Sequence, residues 1–275
     1  MDVSGLAPIE QTALLTEYCR ALDSRSAEPI LGDERADDTV RRIEHDFSAL
    51  GATPSVVSLV ALRAKMLDER IRDFVSANPS AVVVDLGAGL SSAVFRVRPP
   101  GTVDWFSVDL PGMIALRDAL LPAHDRAHSV AADVLKPGWL AGIPSDRPAI
   151  VVADGLFAFL DEDAVIGILR SVSAHFTSGV VAFNDYGPVS KANQLFGRLV
   201  TSGKKNSPHR QWNFPGFKDA RVPESWNPAL HLIDESSAMH RPETRLFPAG
   251  LRVASRLSRR VPSIARKARI LQYRF

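Results

Sequence analysis

The stretch Ala81-Val82-Val83-Val84-Asp85-Leu86-Gly87-Ala88-Gly89 decides the fold. A short apolar run rich in β-branched residues reads as a strand buried on both faces. The two glycines after it let the backbone turn sharply and come close to a ligand. The pattern recurs downstream as VDWFSVDL (103–110), HSVAADVL (128–135), AIVVADGLF (149–157) and GVVAFNDY (179–186). Helical stretches separate the runs, among them Met113–Leu121 and Asp161–His175, the latter opening on Asp161, Glu162 and Asp163 in the turn where acids are favourable. This alternation predicts an α/β, doubly wound, mostly parallel sheet.

Upstream, Thr12–Leu22 carries Leu14, Leu15, Tyr18, Cys19 and Leu22 at helical spacing, and residues 34–50 form a second helical stretch. In Ser55–Val75, Val56, Val60, Leu67, Ile71 and Phe74 share one stripe, with Arg63 at its edge. An inward guanidinium needs a partner, either a protein carboxylate such as Asp85 or Asp154 or the carboxylate of a ligand. Residues 207–228, SPHRQWNFPGFKDARVPESWNP, hold four prolines with Trp212, Phe214, Phe217 and Trp226. They suit a packed lid whose aromatics either line a flat pocket for an aromatic substrate or cover the main core. The chain is expected to form a single domain over 1–275, with a helical cap (1–76), a ligand-binding core (77–186) and a substrate-region lid with final strands (187–275).

A length of 275 residues fits one α/β core with an elaboration, and 45% hydrophobic with 23% charged residues excludes disordered, collagen-like and disulfide-framework classes. One cysteine, Cys19, permits neither an internal disulfide nor an all-cysteine metal site. Nowhere do ~18 apolar residues run together, and the first 30 residues lack a leader pattern. A cytoplasmic protein without membrane contact is expected. The net charge of +2 hides an asymmetry: residues 244–275 carry nine Lys or Arg and no acid, while residues 1–243 carry 24 basic and 31 acidic side chains. Arg252, Arg256, Arg259, Arg260, Arg266, Lys267 and Arg269 alternate with Val253, Leu257, Val261, Ile264 and Ile270, which predicts the solvated face of packed elements. No aromatic residue interleaves with them, so nucleic acid is not expected as a partner.

Asp109 ends the second run 24 residues after Asp85, where a carboxylate can accept both ribose hydroxyls. Ser92 stands where a dinucleotide fingerprint has its third glycine, so a mononucleoside fits better than NAD. Asp133 and Asp154 end the third and fourth runs. Four carboxylates on one sheet edge favour a cationic ligand, such as the sulfonium and α-ammonium of S-adenosylmethionine, unless each merely caps a helix or turn.

The order VVVDLGAGLSSAVFRV, WFSVDLPGMIALRDALLP, SVAADVLKPGW and ADGLFAFLDEDAV resembles the leucine carboxyl methyltransferase family, in its bacterial branch. TALLTEYCRALDSRSAEPILGD, LRAKMLDERIRDFV and WNFPGFKDARVPESWNP extend the likeness over nearly the whole chain. The resemblance implies a class I methyltransferase (Rossmann-like) fold that binds S-adenosylmethionine, releases S-adenosylhomocysteine and methylates a carboxylate or hydroxyl oxygen. It implies Gly87 and Gly89 beneath the methionine part, Asp109 at the ribose, Asp133 at the adenine amino group, Arg63 at the cofactor carboxylate and Asp154 facing the α-ammonium or the water network at the strand ends. Asp85, Leu110 and Val134 complete the cofactor-binding set. Two places depart from the family pattern: Ser91, Ser92 and Ala93 replace Asp-Thr-Arg, and Phe159 replaces a Tyr.

Methyl transfer from a sulfonium needs alignment and exclusion of water, and no metal. A carboxylic acid acceptor is ionised at pH 7, whereas a phenol near pKa ~10 gains from a base. Candidate bases are His209, His231, Asp185 and Tyr186. The expected partner is a small natural-product acceptor, aromatic or polyketide-like, and the expected assembly is a monomer or homodimer. The alternatives are a cofactor-binding scaffold without turnover and a protein carboxyl methyltransferase.

Overall fold

The computed structural model describes Val3, residues 10–188 and residues 213–275. Seven strands form one sheet in the order β3-β2-β1-β4-β5-β7-β6. β1 (Val82–Leu86), β2 (Asp104–Asp109), β3 (Ala127–Ala131), β4 (Ala149–Ala153) and β5 (Gly179–Asp185) run parallel. β7 (Arg269–Arg274) enters antiparallel between β5 and β6 (His231–Ser237). Each of the five apolar runs is a strand, and the order reverses at β1, so the crevice between β1 and β4 opens at the carboxyl edge.

Successive side chains of a strand point to opposite faces. Val82, Val84 and Leu86 therefore join Val165, Ile168, Leu169 and Val172 of α6 (Glu162–His175) on one side. Val83, with Trp105, Ile150 and Val152, meets Leu62, Met66 and Ile71 of α3 (Pro54–Ala77) and Val94 of α4 (Ala93–Val97) on the other. Cover on both faces is why β1 and β4 are buried throughout, while the edge strand β3 exposes His128 and Ser129. α3 starts where Thr53 accepts the Val56 N–H with Pro54 in the first turn, and α6 where Asp161 accepts the Ala164 N–H at 2.8 Å.

A third core forms where α1 (Gln11–Ser24) and α2 (Glu34–Arg41) pack Leu14, Ala21, Ala36 and Val40 against Leu90 and against Met113, Leu116 and Leu120 of α5 (Pro111–Leu120). The N-terminal helices thus lie against the loop that follows β1. The helical stretch predicted over 34–50 breaks after Arg41. Asp46 takes the Ser48 N–H at 3.0 Å and starts a separate 3-10 turn, Phe47–Leu50, a local bond that competes with helix continuation. Among the described residues no helix is long and apolar enough to cross a membrane.

Candidate functional site

β1 ends in the loop Gly87-Ala88-Gly89. Gly87 (φ +64°) and Gly89 (φ +51°) both adopt the left-handed conformation. A Cβ on Gly87 would press on Leu156 at 3.2 Å, and one on Gly89 would press on Ala13 of α1, also at 3.2 Å. The loop is tied to β2 by the Gly87 N–H, which donates to the Val108 carbonyl at 2.9 Å. The Gly89 N–H then donates to Asp109 Oδ2 and the Leu110 N–H to Asp109 Oδ1, each at 2.7 Å. Each carboxylate oxygen spends one acceptor site and keeps another, so Asp109 is fixed in place with two acceptors free for a pair of hydroxyls. Burial raises its carboxyl above the usual range, against the pull of those two N–H groups.

Asp85 lies one pleat along from Val83, on the α3 side, and is 4% exposed. No described residue donates a hydrogen bond to it. Burial pushes its carboxyl up to about 7, opposed by the charge of Arg117 and reinforced by that of Asp154. A buried carboxylate without a hydrogen-bond donor is costly, and a cationic ligand would relieve that cost. Arg117 is a residue the sequence reading missed. It holds the glycine loop from beneath, donating to the Gly89 carbonyl at 3.1 Å and the Ser91 carbonyl at 2.6 Å. Its place on the apolar face of α5, beside Met113, Leu116 and Leu120, was the available sign.

The other two strand-end carboxylates are engaged within the protein. Arg63 forms an ion pair with Asp154, and its Nη1 donates to the Tyr186 hydroxyl at 2.5 Å, with the guanidinium carbon 5.9 Å from the ring centre. Of the partners open to Arg63, the structure provides the protein carboxylate. Asp133 accepts the Leu135 N–H at 3.0 Å and caps a turn, with Lys136 Nζ 3.9 Å from its other oxygen, while Val134 packs against the main core.

A small cleft, with room for about one water, lies at the carboxyl end of β5, lined by Phe157, Phe183, Asn184, Tyr186, Phe214 and Phe217. Phe214 is held there because the Asn213 and Phe214 N–H groups donate to the Ala158 carbonyl at 2.9 and 3.3 Å. Phe217 packs its ring edge-on or tilted against Phe214, Phe183 and Trp226, with centroids 5.0, 6.1 and 5.4 Å away. Phe214 and Phe217 therefore serve both as core and as cleft wall. Trp226, in α7 (Val222–Trp226), is only partly buried and packs on the core away from the cleft lining. Trp212 and His209 lie outside the described residues.

Two candidate bases are corrected by their surroundings. His231 starts β6 and pairs in register with Arg274, which faces Val180, so it stands exposed at the amino edge of the sheet, opposite the cleft. Asp185 is buried against Arg269, with Nε 2.7 Å from Oδ2, and its Oδ1 accepts the Phe217 N–H at 3.2 Å. Arg269 also donates to the Phe217 carbonyl at 2.7 Å and to Glu235 at 2.5 Å. Asp185 is thus a clasp that ties the Phe217 segment to β5 and β7. Tyr186 remains at the cleft, its hydroxyl pushed above its ordinary range by burial and opposed by Arg63.

The departures after the glycine loop have a structural use. Ser92 is fully buried, donates to Asp33 at 2.6 Å and accepts from Arg96 at 3.0 Å. Arg96 pairs with Asp33 at 2.6 Å and Asp68 at 2.8 Å, while Arg20 pairs with Glu17 at 2.5 Å. This buried network joins α1, α3 and α4 behind the loop.

A seven-strand sheet in this order with an antiparallel β7, a glycine loop after β1 and a fixed carboxylate ending β2 define a class I methyltransferase fold. Comparison with known proteins agrees. Residues 11–173 match the leucine carboxyl methyltransferase family. The chain is 34% identical to the tetracenomycin polyketide synthesis O-methyltransferase TcmP of Streptomyces glaucescens, over 98% of each chain. It is 31% identical to the S-adenosyl-L-methionine-dependent methyltransferase dpfgK of Gibberella zeae, over 72% of this chain and 73% of that one. The fold is shared with the magnesium protoporphyrin IX methyltransferase ChlM of Synechocystis PCC 6803, solved with bound S-adenosylhomocysteine, at a TM-score of 0.50 and 9% identity, over 88% and 95% of the two chains. The chain belongs to the leucine carboxyl methyltransferase family and is an S-adenosylmethionine-dependent methyltransferase.

Proposed function

We propose that the protein methylates an oxygen of an aromatic, polyketide-like small molecule, and that this oxygen belongs to a carboxylate. The observation that carries the reading is the group of aromatic side chains, Phe157, Phe183, Tyr186, Phe214 and Phe217, gathered around a water-sized hollow at the same sheet edge as the glycine loop and Asp109. Likeness over the full length to a polyketide O-methyltransferase supports the acceptor class.

The residues present suit the cofactor. Gly87 and Gly89 would allow close approach of its backbone-like part, Asp109 would take its ribose hydroxyls, Asp133 its adenine amino group and Asp85 its α-ammonium. When bound, it supplies an electrophilic methyl on a positively charged sulfur. The tasks left to the chain are to hold an acceptor oxygen in line and to keep water away, which the phenylalanine walls of the cleft favour. A carboxylate acceptor is ionised at pH 7 and needs no base. A phenol would need one, and the described groups here are committed elsewhere: Asp185 to Arg269, and the Tyr186 hydroxyl to Arg63.

Methyl-labelled cofactor incubated with a panel of aromatic carboxylic acids and phenols tests this. Label should enter acids and be released by mild alkali, as from an ester. Alkali-stable label on phenols alone would overturn the carboxylate assignment, and failure to label any panel member while cofactor binds would count against the acceptor class.

A further inference from the structure

We propose that the C-terminal helices α8 (Ala249–Ser258) and α9 (Pro262–Ala265) form a docking surface for anionic lipid, which holds the enzyme reversibly at a membrane face. The sequence predicts that the aliphatic residues between these arginines pack inward. The structure turns three of them outward and buries Ile270. Ser255 and Ser258 face the protein, with Ser255 Oγ donating to the Met239 carbonyl at 2.7 Å. Val253, Leu257 and Val261, spaced four apart, are 52%, 49% and 40% exposed, and among the described residues the other large exposed apolar side chains are Leu135 and Ile233.

Arg252, Arg256, Arg259 and Arg260 flank this stripe and are exposed. None of the four pairs with a carboxylate among the described residues, whereas Arg20, Arg63, Arg96, Arg241 and Arg269 each do. No acid occurs anywhere in residues 244–275. The surface borders the cleft: α9 leads into Arg266, whose carbonyl oxygen would lie 2.7 Å from a Cβ on Gly187, next to Tyr186.

An aliphatic stripe gains nothing from solvent, and nucleic acid offers it no apolar surface. A second copy meeting it across a twofold axis would set these arginines against themselves, with no carboxylate on the element to neutralise them. Three exposed aliphatic side chains and four arginines are few beside the roughly 20–30 residues a side of a standard protein interface. A lipid surface imposes no such minimum. Aliphatics enter the headgroup boundary while arginine stems lie along it and their guanidinium groups meet lipid phosphates.

The full chain, loaded with S-adenosylhomocysteine, is sedimented with phosphatidylcholine vesicles with and without about 30 mol % phosphatidylglycerol. Binding is expected to the anionic vesicles only, and to fall as salt is raised toward ~1 M, where the screening length shrinks to ~3 Å. Each basic side chain near such a surface strengthens partitioning about fivefold, so R256Q/R259Q/R260Q should weaken it roughly a hundredfold. Leu257→Gln with Val253→Gln leaves the charge unchanged and should still weaken it several-fold. Retained ligand-induced thermal stabilisation shows that the variants are folded. Equal binding to neutral vesicles, no binding to anionic ones, or full binding by either variant would overturn the proposal. So would binding to soluble polyglutamate without binding to vesicles, which would identify an acidic polypeptide as the partner.

Discussion

Cofactor affinity should depend on pH through Asp85, and the size of the effect follows from its surroundings. The carboxyl is buried without a hydrogen-bond donor and titrates at about 7. Because its folded pKa lies above the unfolded value, the folded apo protein binds more protons than the unfolded chain between about pH 4 and pH 7. The group therefore costs apo stability above pH 7, on the order of 4 kcal/mol, and this cost disappears as pH falls toward 4. A bound ammonium reverses the preference by favouring the ionised form. At pH 8 Asp85 is about nine-tenths ionised and at pH 6 about one-tenth, so Kd for S-adenosylhomocysteine should rise about tenfold from pH 8 to pH 6, with proton release on binding at the lower pH. Calorimetry in two buffers of different ionisation enthalpy measures both quantities. Asp85→Asn should remove the pH dependence, weaken binding at pH 8 by about 1.5 to 3 kcal/mol and raise the apo melting temperature at that pH. A Kd that is flat from pH 6 to 8, or an Asn variant that keeps the wild-type slope, would refute the assignment of Asp85 to the ammonium.

Asp109→Ala should cost about 1.5 to 3 kcal/mol in cofactor affinity by calorimetry, and it should also lower the apo melting temperature, because the Gly89 and Leu110 N–H groups lose their acceptor. Arg63→Ala should destabilise the apo protein by about 2 to 4 kcal/mol in denaturant titration, because it strands Asp154; adding Asp154→Asn should recover part of that loss, and strict additivity would show that the pair is not coupled. Arg269→Ala should cost about 3 to 5 kcal/mol of stability by leaving Asp185 buried and unpaired. Asp185→Asn, measured in the methyl-transfer assay, should leave the shape of the pH–rate profile unchanged, whereas loss of the acidic limb would restore Asp185 as a general base.

The five parallel strands were legible because each is a local pattern, a buried run between turn residues, and burial on both faces writes itself as continuous Val, Ile and Phe. β6 and β7 were not. HLIDESS is half exposed and carries charge, as an edge strand can, and RILQYR has four buried positions yet opens on an arginine. That arginine is buried only because Asp185, 84 residues earlier, waits for it across the sheet. No window of sequence contains both ends of such a pair. The same distance hid the outward face of α8: its periodicity marks two sides, and which side meets the protein is set by Met239 and its neighbours, outside the helix.

The four strand-end aspartates show what this separation means for a site. Position alone places Asp85, Asp109, Asp133 and Asp154 on one rim and makes them equivalent. Their differences come from groups brought in by the fold: Arg63 from α3 neutralises Asp154, the Leu135 N–H engages Asp133, and the Gly89 and Leu110 N–H groups orient Asp109 without neutralising it. Asp85 receives none of these. The field at the crevice is thus set by two carboxylates, one oriented by neutral donors and one left without a donor, rather than by four. An oriented carboxylate with spare acceptor sites suits hydroxyls, and a buried one without a donor suits a cation. A ligand that carries a diol and an ammonium satisfies both at once, which is why the loss of either aspartate should weaken the same ligand while only the loss of Asp85 should abolish the dependence on pH.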